Sequence, residues 1–173
     1  IIKAPRSVIV STTSSASSTI NSERIWDDLN AEDKYDPWEV YGVSKIAAVQ
    51  FRDRLLELLK KANLENQIFV HSTHPGLTAT PLFDASKGVF ATVFRSIRGL
   101  FMMDVNQGAL STLRATIDTT LDNGSFIGPK GLTGFSGYPK PIKVYNPKMS
   151  LDPELREKMW DYCDKVTGAK WRI

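Results

Sequence analysis

The chain has 173 residues, 42% hydrophobic and 24% charged, which suits about one globular domain and excludes a disordered chain. A formal net charge of +3 is too small a surplus to mark a nucleic-acid surface, and one cysteine with two histidines excludes a disulfide framework and leaves little for a zinc site. No apolar run reaches the roughly 18 residues that span a bilayer, and Ile1-Ile2-Lys3-Ala4-Pro5 lacks a signal peptide's apolar core. Composition thus predicts a soluble α/β or α+β protein of a reducing, cytoplasmic compartment.

Val8-Ile9-Val10 is a β-branched run that reads as a buried strand, with the Ser/Thr-rich stretch Ser11 to Thr19 as the loop at its carboxyl end. Asp27 to Pro37 is charged and irregular, a surface connection. Asp36-Pro37 supplies an N-cap with proline at the first helical position. The helix it opens runs to about Ala62, with Val40, Val43, Ala47, Phe51, Leu55 and Leu58 on its apolar face. Gly42 in its first turns costs about 1 kcal/mol relative to alanine, so that position must need the absence of a side chain or a close backbone approach.

Gln67 to Ser72 reads as a second strand, stopped by His74-Pro75-Gly76. Thr78 to Lys87 is a loop, and Ser86 to Met103 alternates apolar and basic residues in a helix pattern interrupted by Gly99. That pattern suits a cover over an apolar substrate or a peripheral contact with a membrane or lipid surface; packing on the domain core is the plainer alternative. Asp104 caps a helix through Thr120, with Ala109, Leu110, Leu113 and Ile117 predicted inward. Phe126-Ile127 reads as a last strand. Leu151-Asp152-Pro153-Glu154 opens a final helix that ends at Thr167-Gly168 and carries Cys163 as a small packed residue facing Trp160 or Val166. The order strand, helix, strand, helix, helix, strand, helix predicts an α/β fold of parallel-sheet units.

Tyr41-Gly42-Val43-Ser44-Lys45 places a phenol and an ammonium four residues apart on one helix face. A phenol has an ordinary pKa of about 10, and a neighbouring cation favours its ionised form, which fits it for proton transfer. Five tyrosines and 13 lysines give about 0.4 such spacings by chance, so context must carry the argument; a half-buried tyrosine beside a solvated lysine is the bland alternative. Context comes from the two strand ends. The hydroxyls after the first strand and His74-Pro75-Gly76-Leu77-Thr78-Ala79-Thr80 after the second would meet the Tyr/Lys face at the carboxyl edge of an open parallel sheet, where ligands bind. His71 and His74 straddle a strand end without a third metal ligand nearby and read as structural.

With these motifs in place the chain resembles the carboxyl-terminal half of a short-chain dehydrogenase/reductase, most nearly the retinol-dehydrogenase-like branch. Lys3 to Ser11 resembles that branch's entry into the strand bearing its catalytic hydroxyl. Asp28-Leu29, Tyr35, Trp38 and Tyr41 to Lys45 resemble its catalytic helix and approach, His74-Pro75-Gly76 with Thr80 its cofactor-side loop, and Leu155 to Gly168, with Trp160, its terminal helix. The resemblance implies the catalytic half of a Rossmann-like doubly wound parallel sheet, residues 1–173 forming one partial domain. It also implies NAD(P)-dependent oxidation and reduction of a small apolar alcohol, aldehyde or ketone, with NADP favoured over NAD.

By the same resemblance Tyr41 exchanges the proton and Lys45 assists it and bonds the nicotinamide ribose. A hydroxyl at Thr12 holds the substrate oxygen, and Pro75, Gly76, Thr78 and Thr80 hold the nicotinamide end. Two departures stand out. The family's catalytic serine position falls on Thr12, with Ser11, Thr13 and Ser14 as alternatives. No Gly-x-x-x-Gly-x-Gly or Gly-x-Gly-x-x-Gly occurs, so the turn that takes the cofactor pyrophosphate is missing and the amino-terminal βαβ half is expected to be absent. Ile1-Ile2-Lys3 then reads as the tail of a helix, and the open sheet edge is expected to be covered by the missing half or another subunit. The rival reading is a catalytically silent family remnant acting as a structural subunit.

Overall fold

The three longer helices begin where an aspartate side chain takes the first free amide groups. The computed structural model describes residues 3–20, 26–78, 102–131 and 134–169; the predicted helix over 86–103 falls almost wholly outside them, as does Thr80. The elements in chain order are β1 (Ser7–Thr12), a 3-10 turn (Ser15–Thr19), α1 (Pro37–Lys61), β2 (Ile68–Thr73), α2 (Val105–Ile117), β3 (Phe126–Pro129), β4 (Pro139–Pro141), α3 (Pro147–Ser150) and α4 (Pro153–Thr167). The Asp36 carboxylate accepts from the Trp38 and Glu39 amides, Asp104 from Asn106 and Gln107, and Asp152 from Glu154 and Leu155. Gly168 closes α4 at φ 66°, in the left-handed region a glycine enters without strain.

The sheet order is β1-β2-β3-β4. β1 and β2 pair in parallel from Ser7 opposite Ile68 to Thr12 opposite Thr73, so both polar strand ends reach the same edge. β2 and β3 are parallel and β3 and β4 antiparallel. This is the open, mostly parallel α/β sheet that the element order predicts, of the Rossmann-like kind that the resemblance implies. β3 meets β2 only at Ser72 and Thr73, and the Asn123 side chain takes its place lower down. Its Oδ1 accepts from the Val70 amide at 2.7 Å, and its Nδ2 donates to the Glu65 and Ile68 carbonyls at 2.7 and 2.9 Å.

α1 is packed on two sides. Leu55 and Leu59 join Ile68 and Val70 of β2, while Val43 and Ile46 join Ile20, Trp26, Met149 and Met159, and Phe51 stacks on Trp160 of α4 at 5.7 Å. Its buried set is therefore Val43, Ile46, Val49, Gln50, Arg52, Leu55 and Leu59 with Gly42, wider than the predicted stripe; Val40, Ala47, Phe51 and Leu58 are only half-buried.

Four further expectations are corrected. In α2 the inward residues are Gly108, Ser111 and Ala115, whereas Ala109 is exposed, Leu113 is 52% exposed and Ile117 73%. The helix lies too close for large side chains: a Cβ on Gly108 would stand 2.4 Å from Thr78 Oγ1. α2 ends at Ile117, before Thr120, because the Asp118 carboxylate accepts from the Thr120 amide and hydroxyl, turning the chain. A last strand, β4, follows β3; its Pro-Lys-Pro sequence is tolerated because prolines can sit on an edge strand. Cys163 is exposed where a packed residue is expected, and its Sγ meets Met159 Sδ at 3.3 Å. Among the described residues no helix is long and apolar enough to cross a membrane.

Candidate active site

The segment after β1 runs antiparallel along the first turns of α1. Thr13 Oγ1 donates to the Lys45 carbonyl at 2.6 Å, the Ala16 carbonyl lies against Gly42, and Thr19 Oγ1 accepts from the Trp38 indole N–H at 3.1 Å. Each step back along α1 is three or four residues, the spacing of one helix face. Gly42 is where the two segments touch: an added Cβ would stand 2.5 Å from Ile20 Cδ1 and Cγ1 and 3.1 Å from the Ala16 oxygen. The close approach expected at this glycine is thus supplied by the 3-10 turn. From the far end of the chain, Asn146 Nδ2 donates to the Ser17 and Ile20 carbonyls at 3.1 and 2.8 Å and holds that turn down.

On the same helix end stand Trp38, Tyr41 and Lys45. The Lys45 ammonium lies 5.3 Å from the centre of the Tyr41 ring and 3.5 Å from the Thr12 carbonyl oxygen. The structure therefore brings Tyr41, Lys45 and the end of β1 together. Of the four candidate hydroxyls, three have internal tasks. Ser11 Oγ meets the Ala48 carbonyl at 3.0 Å and Ser72 Oγ at 2.9 Å, Thr13 is bonded to Lys45 as above, and Ser14 Oγ caps the 3-10 turn through the Ala16 amide. Thr12 is exposed, and no hydrogen bond among the described residues engages its hydroxyl.

Pro75, Gly76 and Thr78 lie just past β2, the neighbouring strand. The His74 amide donates to the Ile127 carbonyl at 2.8 Å and that of Leu77 to Phe135 at 2.8 Å, with Gly76 at φ +79° between them. Thr78 Oγ1 donates back to the Pro75 carbonyl at 3.2 Å and its side chain packs on Gly108, so this hydroxyl braces the loop. His71 and His74 are buried beneath the edge. Burial pushes His74 down to about 4, and burial, then the charges of Arg6 and Arg52, pushes His71 down. Both rings are held neutral, and among the described residues no group of three metal-ligating side chains forms.

These residues fit the nicotinamide–ribose end of a dinucleotide. An ammonium has three donors, and the only hydrogen bond that the Lys45 ammonium makes among the described residues is the long one to the Thr12 carbonyl, which leaves donors for ribose hydroxyls at the edge. The 173 residues hold no glycine-rich phosphate turn for the other end. Sequence reading missed Thr19 and Asn146, whose roles come from partners far along the chain; the Ser/Thr-rich composition of 11–19 marked the region without separating its members.

No family model matches the chain. Over 146 residues it is 28% identical to short-chain dehydrogenase TIC 32 B, chloroplastic, and 27% to short-chain dehydrogenase TIC 32 A, chloroplastic, both of Brassica napus. Each match covers 84% of this chain and 42% of the relative, so the chain spans less than half the length of these curated relatives. The crystal structure of an uncharacterised protein from Mycobacterium paratuberculosis superposes with a TM-score of 0.72 at 24% identity, covering 97% of this chain and 53% of that one, a likeness of fold. The two relatives, each named a short-chain dehydrogenase, are therefore what the chain resembles in sequence over less than half of their length.

Proposed function

We propose that this chain carries the proton-transfer side of an NAD(P)-dependent enzyme that interconverts an alcohol and a carbonyl. The reading places it in the retinol-dehydrogenase-like branch, with NADP favoured and a small apolar alcohol, aldehyde or ketone as substrate. The observation that supports it most is the position of the Lys45 ammonium, 5.3 Å from the Tyr41 ring centre and 3.5 Å from the Thr12 carbonyl. It joins a phenol, a cation and a hydroxyl-bearing strand end at the sheet edge where ligands bind.

In reduction the Tyr41 phenol gives its proton to the carbonyl oxygen; in oxidation the phenolate takes the alcohol's proton. The Thr12 hydroxyl donates to the same oxygen as negative charge develops there. The Lys45 ammonium balances the charge left on Tyr41 and offers its remaining donors to the ribose. Pro75, Gly76, Thr78 and Thr80 shape the nicotinamide end of the site. When bound, the nicotinamide supplies or accepts the hydride.

The test is turnover and dinucleotide affinity of the full-length protein, followed by nicotinamide absorbance and fluorescence. Tyr41→Phe is expected to lower turnover at least about 100-fold with dinucleotide affinity retained, whereas Lys45→Ala lowers both. Near-wild-type turnover by Tyr41→Phe would overturn the reading.

A further inference from the structure

The ends of β1 and β2 stay joined as far as Thr13, whose amide donates to the Thr73 carbonyl at 2.7 Å, and then part. Residues 14–20 turn back along α1, while residues 74–78 cross toward β3 and the β3–β4 connection. No hydrogen bond among the described residues joins one of these segments to the other. Yet the proposed site draws on both: the first is seated on the helix end that bears Tyr41, and the second contains Pro75 and Gly76.

Tyr145 and Asn146, from the far end of the chain, touch both segments. The Asn146 side chain donates to the Ser17 and Ile20 carbonyls. The Tyr145 ring meets the His74 ring at 5.2 Å and the Phe126 ring of β3 at 5.7 Å, nearly perpendicular in each case. His74 is 2% exposed and immediately precedes Pro75. A Cβ on Gly134 would stand 3.9 Å from the Tyr145 hydroxyl, and the next residue, Phe135, takes the Leu77 amide. Consecutive side chains thus serve different loops.

The dipeptide is itself fixed. The Tyr145 carbonyl accepts from Ser150 Oγ at 2.9 Å, and the Asn146 carbonyl accepts from the Met149 and Ser150 amides. The Gln50 side chain of α1 donates to the Met149 carbonyl at 3.0 Å, which anchors this short helix to the one bearing Tyr41. Asn146 stands at φ 48° and ψ 62°, a left-handed conformation that asparagine enters more readily than most residues with a Cβ.

We infer that Tyr145 and Asn146 are positioning residues that hold the proton-transfer side and the nicotinamide side of the site at one fixed separation. The inference rests on the oxidoreductase reading above and adds what keeps its two sides in register. Proton and hydride reach adjacent atoms of one carbonyl group, so both sides must be placed correctly at once. A misplacement of about 1 Å can cost about 100-fold in rate.

The first experiment follows hydrogen–deuterium exchange of single amides in the full-length protein. Asn146→Gly keeps the left-handed backbone and removes both donors; Tyr145→Ala removes the ring and Tyr145→Phe keeps it. Asn146→Gly and Tyr145→Ala are each expected to speed exchange at least about 5-fold at both Ser17 and Leu77, with the Asp118 amide at the end of α2 unchanged. Tyr145→Phe should leave all three at wild-type rates. Acceleration at Ser17 alone in one variant and at Leu77 alone in the other would show two separate contacts and overturn the inference. So would no acceleration, or a uniform rise that includes Asp118. If circular dichroism shows either variant unfolded, Asn146→Asp or Tyr145→Leu takes its place with the same expectations.

The second experiment measures reduction of benzaldehyde with NADPH. In Asn146→Gly and Tyr145→Ala kcat should fall about 10-fold with KM for the aldehyde within about twofold, because alignment is lost and no substrate contact is; Tyr145→Phe should keep wild-type kcat. A rise in KM at unchanged kcat, or unaltered kinetics, overturns the inference. A wild type that does not reduce benzaldehyde counts against the oxidoreductase reading alone, and the exchange rates then decide whether the dipeptide ties the two loops.

Discussion

Replacing Gly42 with alanine tests whether the 3-10 turn is seated on α1 as tightly as the geometry requires. On helix propensity alone the change should stabilise by about 1 kcal/mol. Against that, the new methyl would stand 2.5 Å from two carbons of Ile20 and 3.1 Å from the Ala16 carbonyl oxygen. Ile20 is buried among Trp26, Val43, Ile46 and Met149, so its branched side chain cannot turn away without repacking that cluster. The carbonyl is backbone, relieved only by lifting the turn that Asn146 and Trp38 hold down. Overpacking of this kind costs about 1–3 kcal/mol, which leaves a net loss of about 1 kcal/mol. Urea denaturation of the full-length protein should show a midpoint lower by about 0.5 M at an unchanged slope. The double variant with Ile20→Ala isolates the contact: in that background Gly42→Ala should be neutral or stabilising, with coupling of about 1–3 kcal/mol. Stabilisation by the full propensity gain in the wild-type background would show that Ile20 and the turn do not press on Gly42, and would refute the argument.

Three other outcomes follow from single features. Burial holds folded His74 at about 4 while the unfolded chain protonates near 6.5, so the unfolded state binds the extra proton between those values. Stability should be full above about pH 6.5 and fall by about 3 kcal/mol as the pH drops to about 4, a loss that His74→Phe should largely remove in urea titrations across that range; a flat wild-type profile would contradict it. Asn123→Ala removes three hydrogen bonds to the start of β2 and leaves the Val70 amide unpaired, so unfolding free energy should fall by about 2–3 kcal/mol, and exchange of the Val70 amide should accelerate with it. Among alanine substitutions at Ser11, Thr12, Thr13 and Ser14, Thr12→Ala should lower turnover most, by about 2.7–4 kcal/mol, with the least effect on stability, since the other three hydroxyls hold the fold; a larger turnover loss at Ser14 with Thr12→Ala active would move the substrate hydroxyl there.

The parts of the fold that are legible in the sequence are those set by neighbouring residues. Asp36-Pro37, Asp104 and Asp152-Pro153 start helices because the carboxylate reaches amide groups two or three positions on, and Gly168 stops one because glycine enters the left-handed region. Orientation is different. Apolar periodicity assigns Leu113 and Ile117 of α2 to the core, but the helix approaches the strand ends so closely that only Gly108, Ser111 and Ala115 fit there. That distance is fixed by Thr78 and the strand termini, about which the pattern within α2 carries no information. α1 shows the opposite failure. A helix packed between a sheet and another helix buries most of its circumference, so even Gln50 and Arg52 are covered and the stripe read from the sequence is too narrow. β4 is hidden because its two prolines signal a turn locally and are tolerated only on an edge.

For the candidate site, spacing along one helix was enough to put Tyr41 and Lys45 on a common face, because 3.6 residues per turn fixes that relation wherever the helix packs. Choosing among the hydroxyls required their partners, and for Ser11 and Thr13 those lie 32 to 61 residues away: Lys45 for Thr13, Ala48 and Ser72 for Ser11. The four residues are chemically near-equivalent as a string and unequal as a structure. A hydroxyl bonded to a backbone carbonyl beneath a helix cannot turn to a substrate without leaving that carbonyl unpaired, a penalty of about 1–3 kcal/mol that the exposed Thr12 does not face. The same contacts that withdraw Ser11 and Thr13 from chemistry lock the strand end against α1, and so hold Thr12 in register beside Lys45. The selection of one hydroxyl and the rigidity of its position therefore have a single cause, the antiparallel seating of residues 13–19 on the helix that carries Tyr41.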